Sequence, residues 1–217
     1  MEGRPDGART YAFFARRHLM APVLYITHPE VTIDPAVPTP QWGLNDKGRA
    51  RAETFAARGL LAKNTHFFAS AERKARDLAE ILAAATGGTV TIDEKFNEND
   101  RSSTGFLAGE KFEEAVAALF GQPDSSYRGW ETARDAQSRI VAAVTAALAA
   151  TAPEENVVFC GHGCVGTLLK CALGQRPIAL AEDQRRMAAP GGGNVIVFSR
   201  DMRLIGDWQA MEDFSGA

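Results

Sequence analysis

The sequence predicts an α/β fold: a three-layer, open, mostly parallel sheet with helices on both faces. Three observations carry that expectation. Short runs rich in Val, Ile, Phe and Tyr alternate along the chain with longer segments whose apolar residues recur at the helical period. There is no internal repeat and no long linker, so the alternation continues through one unit. The 217 residues are 45% hydrophobic and 24% charged, enough to bury a core without a structural metal or disulfides.

Taken in order, Val23-Leu-Tyr-Ile-Thr27 reads as a short buried strand. Asp34 to Trp42 carries Pro35, Pro38 and Pro40 and must be an extended loop. Asn45 can cap a helix running through Arg49, Ala52 and Phe55. Thr65 to Ala69 is a second strand, followed by a helix from Arg73 to Thr86 that Gly87-Gly88 ends. Val90 to Ile92 is a third strand. Glu110 to Phe120 is amphipathic, and a longer helix runs from about Gly129 to Ala150. Asn156 to Cys160 is the clearest buried strand, and it enters Gly161-His-Gly163 and another helix. Pro190 to Gly193 is a turn, and Asn194 to Phe198 a last core strand.

Composition narrows function by exclusion. Twenty-four Lys+Arg against 27 Asp+Glu give a net charge of −3, which argues against a broad nucleic-acid or anionic-membrane surface. Cys160, Cys164 and Cys171 are an odd number in one stretch without a CxxC pair, as in a reducing compartment. No apolar run approaches the roughly 18 to 20 residues that span a bilayer. Residues 1–19 read as an Arg-rich, dispensable leader ahead of a domain over 20–217, and a transit segment is the alternative. The expected location is cytoplasmic. Dimerisation stays open, since a homodimer is compatible with the sequence but not indicated by it.

In open α/β sheets ligands bind beyond the carboxyl ends of the strands. That rule selects two of the four histidines: His28, after the first strand, and His162, after the fourth. His66 lies inside a strand, where a hydrogen-bonded sheet position explains it, and His18 lies in the leader. A neutral imidazole whose second nitrogen is held by an acceptor can act as a nucleophile. A second, protonated imidazole can stabilise charge developing on a phosphoryl group. The helix after His162 points amide groups to the same place, an anion seat that Gly161 and Gly163 leave open to close approach.

These residues, with others in order along the chain, resemble the histidine phosphatase superfamily, to which the cofactor-dependent phosphoglycerate mutases belong. Leu24-Tyr-Ile-Thr-His-Pro-Glu30 stands where the family has a strand ending in Arg-His-Gly. Leu44-Asn-Asp-Lys-Gly-Arg-Ala-Arg-Ala52 is similar to its Leu-Thr-x-x-Gly-x-x-Gln-Ala helix start, and Ser70 to Ala79 to its Ser-x-x-x-Arg-Ala-x-x-Thr-Ala. Phe96-Asn-Glu-Asn99 supplies an acid after the third strand, and Val157 to Gly163 the late His-Gly pair. The resemblance implies that His28 accepts the phosphoryl group, that His162 contacts it, and that Glu98 protonates the leaving oxygen and then activates water. It implies a small phosphorylated substrate and neither metal nor cofactor. A carboxyl group with that role needs a raised pKa.

The sequence departs from the family at its phosphate-clamping arginines, where Thr27 and Lys74 now stand, and Pro29 replaces the glycine after the nucleophile. One lost charged hydrogen bond costs about 1.5–3 kcal/mol, roughly 10- to 150-fold if it acts in the transition state. The expected phosphate-binding set is therefore Thr27, Lys74 or Arg73, Arg101 and Gly163, with Arg101 and a residue of the 73–74 pair partly restoring the clamp. The rival function is a pseudo-phosphatase that binds a phosphorylated ligand or protein without turnover, and Thr27 and Lys74 are its support. A mutase needs more to hold a bisphosphate than this set offers. Gly161-His-Gly-Cys-Val-Gly166 also spells a dinucleotide-binding fingerprint, but it comes late in the chain and no acid-ended strand follows. Cys160, His162 and Cys164 alternate at a turn without a fourth metal ligand. Cys164 lacks the glycine two residues ahead that a nucleophile elbow requires. Trp42, Phe106, Tyr127 and Trp130 lie in or beside loops and could wall the site toward an organic ligand.

Overall fold

The computed structural model describes residues 21–216, so the expected leader lies outside the described residues. One six-stranded sheet forms the middle layer, in the order β3-β2-β4-β1-β5-β6. The strands are β1 (Val23–Thr27), β2 (His66–Ala69), β3 (Thr89–Ile92), β4 (Val157–Gly161), β5 (Asn194–Phe198) and β6 (Leu204–Ala210). β3, β2, β4 and β1 run parallel, and β5 and β6 add an antiparallel edge. The helices are α1 (Asp46–Ala57), α2 (Arg73–Thr86), α3 (Glu110–Gly121), α4 (Ala133–Ala149), α5 (Gly163–Leu173) and the single-turn α6 (Gln184–Met187).

Successive strand residues point to opposite faces, and both faces are buried. Leu24, Ile26, Phe67, Val158 and Cys160 pack under α1 and α2, through Ala52, Phe55, Leu78 and Leu82. Val23, Tyr25, Phe68 and Phe159 pack under α3, α4 and α5, through Leu119, Ile140, Val144 and Leu168. Each such side chain contributes roughly 1.5–3 kcal/mol when fully buried. The three layers expected from the alternation are therefore present.

Local signals set most boundaries. Asn45 accepts a hydrogen bond from Gly48 N–H at 2.9 Å and starts α1. Gly87, at φ +69°, ends α2. α4 begins at Ala133 rather than near Gly129, because the Thr132 hydroxyl caps it on Asp135 N–H at 3.0 Å. β6 lies beyond the last strand that the sequence pattern indicates. The strand's Gly206 and Asp207 weaken its pattern, and it is recognised only by pairing with β5 across a ladder with register shifts.

Candidate active site

The parallel strands β2, β4 and β1 end level with one another. Ala69 and Ile26 both pair with Cys160, and Thr27 pairs with Gly161. The next residues are Ser70, His162 and His28, side by side at the carboxyl edge. The backbone ladder continues one step further, with His28 N–H donating to Gly161 O at 2.9 Å and Ser70 N–H to Cys160 O at 3.3 Å. The imidazoles of His28 and His162 meet edge to face, their centroids 5.3 Å apart.

His28 is held from its own backbone. Its Nδ1 lies 2.9 Å from Pro29 O, and a carbonyl can only accept, so Nδ1 carries the proton and Nε2 keeps its lone pair. Burial, reinforced by the positive charge of Lys74, pulls the His28 pKa down to about 4. The ring is thus neutral at physiological pH, in the tautomer a nucleophile requires. Gly192, at φ +77°, covers the His28 carbonyl so closely that a Cβ there would lie 2.2 Å from it. The glycine turn before β5 is in this way part of the His28 setting.

His162 is sealed completely from solvent. Ala71 N–H donates to Asn97 Oδ1 at 2.9 Å, which fixes the orientation of that amide. The Ser70 hydroxyl donates to the same oxygen at 2.8 Å, so it must accept from His162 Nε2, 2.7 Å away. His162 Nδ1 is left as a buried nitrogen with no partner among the described residues. Burial holds its pKa well below the ordinary histidine value. Tyr25 braces the backbone here, accepting from His162 N–H at 2.9 Å and donating to His162 O at 3.2 Å. A Cβ on Gly161 would lie 2.2 Å from the Tyr25 hydroxyl, so this contact requires glycine.

Lys74 stands beside the two histidines but is not a free cation. It is buried, ion-paired with the buried Glu72, and donates to Thr39 O at 2.9 Å. Burial opposes charge on Glu72, yet the Lys74 ammonium and the Glu98 amide outweigh it and hold its pKa down to about 2. Glu72 Oε1 lies 3.7 Å from His162 Nε2 and accepts from Glu98 N–H at 3.0 Å. Glu72 is not among the residues that the sequence motifs indicate. Its only sequence signal is an acid two positions before the lysine that replaces the motif arginine.

Glu98 occupies the anion seat at the start of α5. Its carboxylate accepts from Cys164 N–H at 3.2 Å and Val165 N–H at 3.0 Å. The seat expected to stand open for a ligand is therefore filled by the protein's own carboxylate, since an exposed helix N-terminus attracts whichever anion lies near it. Burial raises the Glu98 pKa, against the opposing charge of Arg101 and the Val165 amide. The loop that carries Glu98 is tied down by Arg139, which no sequence motif marks. Its guanidinium grips Glu131 at 2.8 and 2.7 Å and reaches Asn97 O at 2.9 Å and Glu98 O at 3.3 Å.

Of the expected phosphate-binding residues, Arg101 and Gly163 share a cavity of about 150 Å³ with His28, Glu98 and Gln184. Arg101 has no ion pair among the described residues, and its guanidinium lies 5.4 Å from the Phe112 ring. Thr27 and Arg73 lie elsewhere. Thr27 is fully buried and spends its hydroxyl on Gln184 Oε1 at 2.8 Å and Asn194 N–H at 2.9 Å. Thr27 is an internal tether between β1, α6 and β5. Arg73 is exposed and packs beside Gly43 and Asp77, outside that cavity. Gly163 serves close packing: a Cβ there would lie 2.2 Å from the Gln184 amide nitrogen. Cys160 packs under α1 and α2 and Cys164 against the opposite core, so the Cys160-His162-Cys164 set does not converge.

The fold and the paired strand-end histidines define a class of α/β phosphoryl-transfer proteins. A sequence profile of the histidine phosphatase superfamily (branch 1) matches residues 37–210. The chain belongs to that superfamily, and by enzyme class it is a phosphatase. The matched segment holds Glu98 and His162, while His28 lies ahead of it. The chain is similar to a solved mycobacterial glucosyl-3-phosphoglycerate phosphatase in complex with inorganic phosphate. That pair is 20% identical, with a TM-score of 0.70 over 89% of this chain and 100% of the other. A structure described as mycobacterial hydrolase 1 is 21% identical, with a TM-score of 0.66 over 86% of this chain and 96% of its own. Bacillus stearothermophilus YhfR is 18% identical, with a TM-score of 0.65 over 81% and 89%. Among curated proteins none matches.

Proposed function

We propose that this chain is a metal-independent phosphomonoesterase that hydrolyses a small phosphorylated molecule through a phosphohistidine on His28. The observation that carries the reading is the fixed tautomer of His28, with Nδ1–H on Pro29 O at 2.9 Å and Nε2 left as a lone pair. In the first step Nε2 attacks phosphorus and the ester P–O bond breaks. Glu98, whose carboxyl pKa burial raises, donates its proton to the leaving oxygen. In the second step Glu98 takes a proton from water, the hydroxide attacks phosphorus, and the N–P bond breaks to release phosphate and restore His28. Arg101 is the cation available to the phosphoryl oxygens, and the glucosyl-3-phosphoglycerate phosphatase likeness supports an organic phosphate as substrate.

The pseudo-phosphatase reading rests on a different observation: Lys74, at the motif arginine position, is neutralised by Glu72 before any ligand arrives. One experiment separates the two. Phosphate release from p-nitrophenyl phosphate is measured in EDTA for the wild type and for His28→Ala. Release that the variant abolishes supports hydrolysis. No release above the His28→Ala background across a panel of phosphomonoesters supports the binding role.

A further inference from the structure

Arg101 lies where three cavities meet. Besides the one at His28, it lines a polar cavity of about 740 Å³ with Glu98 and Asn99, and an apolar one of about 350 Å³. The apolar cavity shares Arg101, Phe112 and Trp130 with the His28 cavity as a common wall. Trp42 and Phe106 close its other side edge to face, with centroids 5.1 Å apart. The Trp42 and Trp130 ring N–H groups are already bonded, to Asp34 O at 3.0 Å and Thr104 Oγ1 at 2.8 Å. The chamber therefore offers ring faces and edges and little hydrogen bonding. Phe106 remains 36% exposed at its mouth, which leaves an aromatic surface unburied beside the site. The polar cavity is lined by Glu94 and Asp100 but also by Arg101 and Arg139, the latter paired with Glu131, so it offers mixed charge where the second cavity offers apolar surface.

We infer that the apolar chamber seats the leaving group, so that the substrate class is an aromatic or similarly apolar phosphomonoester, its phosphoryl group at His28 and its ring between Trp42, Phe106 and Trp130. The inference rests on the phosphomonoesterase reading and adds the substrate class to it. Ring area withdrawn from water and edge-to-face contact with Phe106 supply the selectivity, and Arg101 bridges the two halves of the ligand.

The test compares 1-naphthyl phosphate with glycerol 3-phosphate, by calorimetric titration of His28→Ala and by kcat/KM with the His28 protein. A second pair carries Ala108→Trp, a substitution on an exposed loop residue that lines the chamber and would fill it. The naphthyl ester should bind the His28→Ala protein at least about tenfold more tightly than the glycerol ester, and Ala108→Trp should remove that advantage while leaving the glycerol ester unchanged. Equal affinities, or an advantage that survives Ala108→Trp, overturn the inference whether or not the wild type turns over. Absence of His28-dependent phosphate release from either ester counts against the phosphomonoesterase reading alone, because the titration is read without turnover.

Discussion

The two histidines at the carboxyl edge are the same residue type at matching strand ends, and their surroundings divide them. His28 lies against an open cavity, with Nδ1 spent on a backbone carbonyl and Nε2 free. His162 is sealed, with Nε2 spent on Ser70, Nδ1 unpartnered, and Glu72 at 3.7 Å. Burial keeps both rings neutral, so the division comes from hydrogen bonding. In the proposed mechanism the first ring attacks, and the second takes up a proton and faces charge once a dianion arrives. A strand end chooses the place, and the partner of the second nitrogen chooses the role.

The sharpest way to break that comparison is to remove each ring. His28→Ala should abolish turnover, a loss of about 10⁴-fold or more in kcat, because the proposed mechanism runs through a covalent intermediate on that ring. His162→Ala should cost about 10²–10³-fold and leave a measurable rate, since it removes stabilisation and spares the nucleophile. Equal losses in steady-state assays would show that the two rings act as one unit. Next in size, Arg139→Ala frees the Glu98 loop and should lower kcat about 10- to 100-fold. The loss should be smaller for a substrate with a good leaving group such as p-nitrophenol, which needs less protonation; an equal loss for alkyl esters would remove Arg139 from acid positioning.

The pH profile tests the shared neutrality. His28 must be unprotonated to attack, and its pKa is lowered to about 4, so the acid limb of kcat/KM should fall as pH drops through about 4. A limb centred near the ordinary histidine value of about 6.5 would show that the ring is charged far more readily than its burial implies. The smallest expected effect is that of Tyr25→Phe. It leaves His162 N–H buried without an acceptor and should cost about 1–3 kcal/mol in denaturant unfolding. His28, which Tyr25 does not touch, should keep its acid limb.

Much of the fold was legible because its signals are local. Val23–Thr27 and Arg73–Thr86 have the bounds that apolar runs and the Gly87 stop indicate. β6 was not legible, because its evidence is the ladder it makes with β5. At the site, position was legible and partnership was not. Thr27 stands where a phosphate ligand was expected, but its hydroxyl turns inward to Gln184, 157 residues away in the chain. Trp42, Phe106 and Trp130 do line one cavity beside Arg101, whereas Tyr127 packs edge to face on Trp130.

By itself the sequence determined the alternation of strand and helix and the two histidines at strand ends. Those follow from side-chain periodicity, backbone preferences and residue identity, which act over a few positions. Tertiary structure decided that Glu72 neutralises Lys74, that Glu98 sits on the amides of α5, and that Arg139 holds the loop of Glu98. A buried charge takes whatever opposite charge or amide dipole the packed sheet brings within about 3 Å, and strand order, not spacing along the chain, determines which groups those are.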